Sequence, residues 1–316
     1  MRPLVIAHIA ALATLPAVAS AEVPSVVADI AVVQSLAQSV LGELGQAQVL
    51  VPPGASAHSY QMRPSDAAAL QNAGLVFWVG EALSPWLGRV VDGTDLHAKT
   101  VELLDAPGTY LREFGAEGEH DHSHDAPVEA ETATDAADDH HHDGIDPHAW
   151  LDPANARAWL ALIADELAAA DPVNAATYAA NAAAADRAIV ALDAELAEAL
   201  APVAGRPFVV FHDAYGYFAD HFALNVAGAV NLGDATAPGA AHLSELRAGL
   251  KAGGVVCAFP EVGHDPSQLV LMLEGTSVRV GAPLDPTGST LAAGAGHYGA
   301  TLRAISASLV DCLAPR

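Results

Sequence analysis

Histidine is the residue type best placed for chemistry in this chain. His58 lies in "VPPGASAHSYQMRPSD", a Gly/Pro-rich loop after a candidate strand. His148 lies in "DPHAWLDP", and His212 ends the apolar run "PFVVF". Asp285, in "APLDPTGS", also follows a candidate strand. Ligands of open α/β sheets collect at such strand ends. Neutral imidazole and carboxylate suit a first-row divalent metal, and three histidines with one acid are a typical zinc set. Taken singly, each has an ordinary reading. A histidine at a strand end can serve as a cap or hydrogen-bond partner, and Asp285 before Pro286 can start a turn. The four lie far apart in the chain, so spacing leaves their convergence open.

Two further bursts, "EHDHSHD" and "DDHHHD", hold His120, His122, His124, His140, His141 and His142 among many acids. Spacings of i, i+2 and i, i+1 build no fixed tetrahedral cage. They predict weak, fast zinc binding, opposed by the entropy of ordering the chain. The alternative is a solvated acidic loop whose histidines are incidental. From residue 115 to 144 there are almost no large apolar side chains and no Lys or Arg. Such a segment buries too little surface to offset its ordering entropy, so it is expected to be a disordered loop.

Alternating elements must position these residues. "VPSVVA", "AQVLVP" and "LVFWVG" read as strands. Between and after them, "IAVVQSLAQSVLGEL", with Asp29 as its expected cap, "PSDAAALQNA" and "SPWLGRVV" read as helices. "ANARAWLALIADELAAA" predicts another helix, and Pro172 to about Leu200 a longer Ala-rich one of roughly 40 Å. The alternation then resumes: strands at "PFVVF", "ALNVAGAV", "GVVCAF" and "SVRVGAPL", helices at "DAYGYFADHF", "AHLSELRAGL" and "DPSQLVLMLE". The expected class is α/β: two similar lobes with parallel-type sheets flanked by helices, joined by one long linking helix. The expected division is a signal peptide at 1–21, an N-terminal lobe at 22–171 with the loop at about 115–144, the linking helix at 172–203 and a C-terminal lobe at 204–316.

Arg2, the apolar "LVIAHIAALATL" and the small-residue "AVASA" form an export signal, with cleavage expected near Ala21; an uncleaved N-terminal helix is the alternative. Export places the mature chain in the periplasm. Cys257 and Cys312 are the only cysteines. In an exported protein an even pair is expected to be bridged, with a two-Cys metal site as the alternative. The chain carries 13 Lys+Arg against 38 Asp+Glu, a net charge of −25. That excess opposes binding to nucleic acid or anionic membrane and suits a protein that attracts cations.

"GASAHSYQMRPSD", "DPHAWLDP", "VFHDAYGYF" and "GTSVRVGAPLDPTGST" occur in an order that closely resembles the zinc-binding receptors of bacterial ABC importers, the ZnuA type. The resemblance spans nearly the whole mature chain and includes the His/Asp-rich segment before the second histidine. It implies a rigid linking helix and a metal held in the cleft between the lobes by His58, His148 and His212. It also implies a disulfide between Cys257 and Cys312, a membrane permease as partner, and a monomer. Manganese-binding relatives carry Glu where His212 stands, and imidazole there favours zinc. Some zinc receptors have Glu immediately before the first histidine. Ala57 stands there in this chain, which leaves Asp285 or a water as the fourth ligand, with Asp285 preferred. The acidic loop ends beside His148, so zinc collected on it would be released near the cleft.

The resemblance implies an extracytoplasmic receptor that captures zinc and passes it to a permease without catalysis. A periplasmic zinc buffer or chaperone is the nearest alternative. A zinc hydrolase is the other class, since three histidines with an open position can activate water. No HExxH motif is present. Glu261, in "FPEVGHDP", is a possible general base, but is expected instead to cap or precede the following helix.

Overall fold

The computed structural model describes residues 23–94, 96–114, 144–231 and 238–315. The export signal, the 115–143 segment and all six of its histidines lie outside the described residues.

The first lobe runs β1 (Val26–Ala28), α1 (Ala31–Leu41), β2 (Ala47–Val49), α2 (Pro64–Gln71), β3 (Leu75–Trp78), α3 (Pro85–Gly93) and β4 (Lys99–Glu102). Its sheet is parallel, in the order β2-β1-β3-β4. β1 and β3 are wholly buried, as expected of central parallel strands covered on both faces. β4, "KTVE", is a polar edge strand without the apolar pattern that would mark it in sequence.

Asp29 does not cap α1, which has no side-chain cap. Its carboxylate accepts the amides of Ile30 (2.7 Å) and Val79 (3.0 Å) and the Ser84 hydroxyl (3.5 Å). It therefore pins the ends of β1 and β3 together where the strand order reverses. Burial pushes its pKa up to about 6.

A 3-10 turn at Ala149–Leu151 leads into α4 (Pro153–Ala170), capped by the Asp152 carboxylate on the Ala154 amide. α5 (Ala175–Leu200) follows, 26 residues long, or roughly 39 Å at 1.5 Å per residue. Small alanine side chains let it approach its neighbours closely, while Ile189, Leu192, Leu196 and Leu200 form a buried stripe. It packs on α1 and α4 of the first lobe and on α9 of the second.

The second lobe runs β5 (Pro207–His212), α6 (Gly216–His221), β6 (Asn225–Asn231), α7 (Ala240–Ala252), β7 (Cys257–Phe259), α8 (Ser267–Leu273), β8 (Arg279–Val280) and α9 (His297–Leu313). Its sheet is also parallel, in the order β6-β5-β7-β8, which repeats the first lobe's order. β5 alternates: Phe208 and Val210 join a core continuous with the first lobe, while Val209 and Phe211 join a second cluster with α7 and α8 residues. α9 carries a buried face of Tyr298, Leu302, Ile305, Leu309 and Leu313. Cys257 in β7 and Cys312 in α9 are disulfide-bonded, which excludes the two-Cys metal site.

Candidate metal centre

Both sheets direct their C-terminal ends toward one cleft. After β2 the chain continues beside β1, with the Leu50 and Val51 amides bonded to the carbonyls of Ala28 and Asp29 (both 2.9 Å). It then turns through Pro52–Ala55 and presents His58. The Trp86 indole N–H holds this loop by the Ala57 carbonyl (2.8 Å), and Tyr60 packs edge-on against the Trp86 ring. Ala57, where some receptors carry an acid, is buried.

His148 stands immediately before the 3-10 turn and is 1% exposed. Asp146, two residues earlier, accepts both its backbone N–H (3.0 Å) and its ring Nδ1 (2.7 Å). An ionised carboxylate only accepts, so Nδ1 carries the proton and the lone pair sits on Nε2. Trp150 fixes the turn to the opposite lobe, its indole N–H donating to the Pro286 carbonyl (2.8 Å). His212 is the last residue of β5, and its Nδ1 lies 3.3 Å from the Glu261 carboxylate.

The three histidines converge. Their ring centroids stand 5.0 to 5.8 Å apart, and one ligand nitrogen from each lies within 4.8 Å of the others. Among the described residues they are the only such group. A tetrahedral zinc with bonds of about 2.0–2.1 Å holds its ligand atoms roughly 3.3 Å apart, so modest side-chain shifts would close the group on an ion. The surrounding cavity is about 150 Å³, and its walls include Asn231, Glu261, His264 and Asp285.

Asp285 shares the cleft but stands outside the compact group. Its carboxylate accepts from the amides of Thr287 and Thr290 and the hydroxyls of Thr287 and Ser289, at 3.0 to 3.3 Å. Gly288, with φ +65°, closes that turn. Glu261 does not cap α8, whose N-cap is Pro266 without a side-chain cap bond; Asp265, one residue earlier, accepts the Ser267 amide (3.0 Å). Glu261 is instead buried at the C-terminal end of β7, fixed by a parallel bridge to Leu284. The Tyr215 hydroxyl donates to it at 3.3 Å. Burial, and then the Glu261 charge, push that phenol well above its usual 10, so it stays a donor.

Behind His148 lies a polar junction that the sequence did not reveal. The Arg112 guanidinium reaches Asp146 (3.6 Å) and Asp220 of α6 (3.1 Å). The Tyr217 hydroxyl accepts the Arg112 amide (2.7 Å) and donates to the Asp146 carbonyl (2.9 Å). Gly216 gives the guanidinium room, because a Cβ at that position would meet it. The same backbone pairs the two borders of the 115–143 segment: the Phe114 amide donates to Gly144, and Asp146 to Arg112. Only the i, i+2 spacing of Asp146 and His148 could have hinted at this arrangement.

Comparison with known proteins follows the same residues. The family model described as "Zinc-uptake complex component A periplasmic" matches residues 26–312. The high-affinity zinc uptake system protein ZnuA of Paracoccus denitrificans (strain Pd 1222) is 49% identical over 323 aligned residues, covering 99% of each chain. That of Brucella abortus (strain 2308) is 35% identical over 91% of each. A crystal structure of a ZnuA deletion mutant with zinc bound superposes with a TM-score of 0.73 at 23% identity, over 93% of this chain and 99% of its own; at that identity it speaks for the fold. No helix among the described residues is long and apolar enough to cross a membrane. With a matching family model over most of its length and a relative at nearly half identity throughout, this chain belongs to the ZnuA family of periplasmic zinc-uptake components.

Proposed function

We propose that this chain captures zinc in its interlobe cleft and delivers it to the permease of an ABC importer, acting in the periplasm as a non-catalytic receptor. The observation that carries this reading is the convergence of His58, His148 and His212 from both lobes in a chain of the ZnuA family. All three bind as neutral imidazoles, a donor set suited to zinc. Asp285 supplies the fourth ligand by exchanging the Ser289 and Thr290 side of its turn for the ion. The zinc is cargo, so the site must both hold it and let it go. His120, His122, His124, His140, His141 and His142 collect additional zinc weakly and release it near His148.

The test is zinc titration against a competing chelator, with element analysis, on the full mature chain, H212A and a form lacking residues 117–143. The full chain is expected to hold one tight zinc and further weak ones. H212A loses the tight zinc. The shortened form keeps it, loses the weak ones and loads more slowly from a chelator. Tight binding that survives H212A would overturn the cleft assignment, and tight binding lost with the loop would place the chemistry there instead.

A further inference from the structure

The three strands β5, β7 and β8 lie side by side, and at their C-terminal ends stand His212, Glu261 and Asp285 in that order. The middle residue has no role in the reading above. Its carboxylate is buried and carries two contacts from its own lobe, His212 Nδ1 and the Tyr215 hydroxyl, both at 3.3 Å. Burying a carboxylate is costly unless its lone pairs are used, so its presence beside a strand-end histidine needs a reason. The first lobe shows the same pairing, with Asp146 behind Nδ1 of His148. Each lobe thus contributes one histidine backed by a buried acid at the ring nitrogen.

We propose that Glu261 is a positioning residue for zinc. It holds the proton of His212 on Nδ1, turns Nε2 into the cleft and makes that nitrogen a stronger donor, without itself touching the ion. The proposal rests on the cleft being the zinc site. The physical basis is general: a carboxylate behind a ligating imidazole fixes its tautomer and orientation, and its loss typically costs about 10–100-fold in metal affinity. Tyr215 supports the arrangement from the far side by occupying the second carboxylate oxygen. His264, 43% exposed at the side chain, stands 3.6 Å from the same carboxylate, too far for a hydrogen bond.

The experiment compares E261A, E261Q and H212A in the full mature chain. Zinc affinity is measured by chelator competition, the unfolding of the zinc-free forms by thermal melts, and the His212 tautomer by 15N shifts of the zinc-free protein. E261A is expected to bind zinc about 10–100-fold more weakly, with His212 no longer held as the Nδ1–H tautomer. E261Q can still accept from Nδ1–H through its amide oxygen, so it restores the tautomer and part of the affinity. The cobalt-loaded visible spectrum is expected to stay tetrahedral in E261Q. Unchanged zinc affinity in E261A, beside a large loss in H212A, would overturn the role of Glu261 and leave the cleft site standing. An affinity loss in E261A with an unchanged His212 tautomer would overturn it as well. A cobalt spectrum that loses its tetrahedral form in E261Q would make Glu261 a ligand rather than a positioning residue. Wild-type affinity in H212A would overturn the cleft reading itself.

Discussion

At the scale of single residues, the cleft histidines depend on what stands behind them. Asp146 is fully buried between the His148 ring and the Arg112 guanidinium, so it orients a ligand and neutralises a buried cation at once. D146N separates these roles from simple loss of volume. The amide keeps the shape but removes one of the acids around Arg112, leaving Asp220 in contact and the charge of Asp213 nearby. Zinc affinity is expected to fall about 10–100-fold. The zinc-free protein should also lose about 3 kcal/mol, the usual cost of breaking a buried ion pair from one side. Denaturant unfolding beside chelator competition measures both. A variant that loses affinity at full stability would confine Asp146 to its role on His148.

At the scale of elements, the second lobe relies on a covalent tie that the first does without. β7 is three residues long and β8 two, too short to hold α9 by sheet pairing alone. α9 closes the lobe, packing its buried face against α5 and α1, and the Cys257–Cys312 bond joins it to β7. The bond spans 55 residues, and removing it frees the unfolded chain. The C257S/C312S double variant should lose roughly 2–4 kcal/mol, read as a lower melting temperature, while keeping its tight zinc because neither cysteine lines the cleft. Two free thiols in periplasmic protein, counted under non-reducing conditions, would show that the tie does not form.

At the scale of the whole molecule, helix α6 fastens the lobes together. Asp220 meets Arg112, and the next residue, His221, sits between Asp152 at the cap of α4 (2.9 Å) and Asp193 of α5 (2.8 Å). The hydrogen bond to Asp152, followed by that to Asp193, raises the His221 pKa from 6.5 to about 9. A raised pKa in the folded state means the added stability is fully present below about 6.5 and is lost as pH climbs through 9. The rise corresponds to at most roughly 3 kcal/mol. H221Q should therefore be less stable than the parent at pH 6. The two should converge by about pH 10, as followed by denaturant melts across that range. A difference that stays constant with pH would place the effect in packing rather than charge.

Much of this molecule is written in local sequence. Buried strands such as "LVFW" and "PFVVF" are apolar and bounded by turn residues, and the Ala-rich run of α5 has no Gly or Pro to stop it. The repeat of strand and helix on both sides of α5 therefore shows as two similar lobes before any contact is known. The four ordered motifs, carrying His58, His148, His212 and Asp285, pointed to a zinc receptor through their resemblance to that family, while spacing alone left open whether the four converge. β8 falls inside the expected strand "SVRVGAPL", whereas β4 carries too little apolar pattern to be read, and α9, whose apolar residues recur at helical spacing, has no counterpart among the expected helices. What tertiary structure alone decided is which distant residues share a surface. Asp29 looked like a helix cap and instead joins two strands, because the Val79 amide, 50 residues away, reaches it. Glu261 looked like a helix cap and instead backs His212, 49 residues away. Arg112 gave no local signal, since its partners Asp146, Tyr217 and Asp220 come from other elements. Side-chain periodicity records which way a residue faces along its own element. The partner it meets depends on how the elements pack, and that is settled only when the two lobes close on α5.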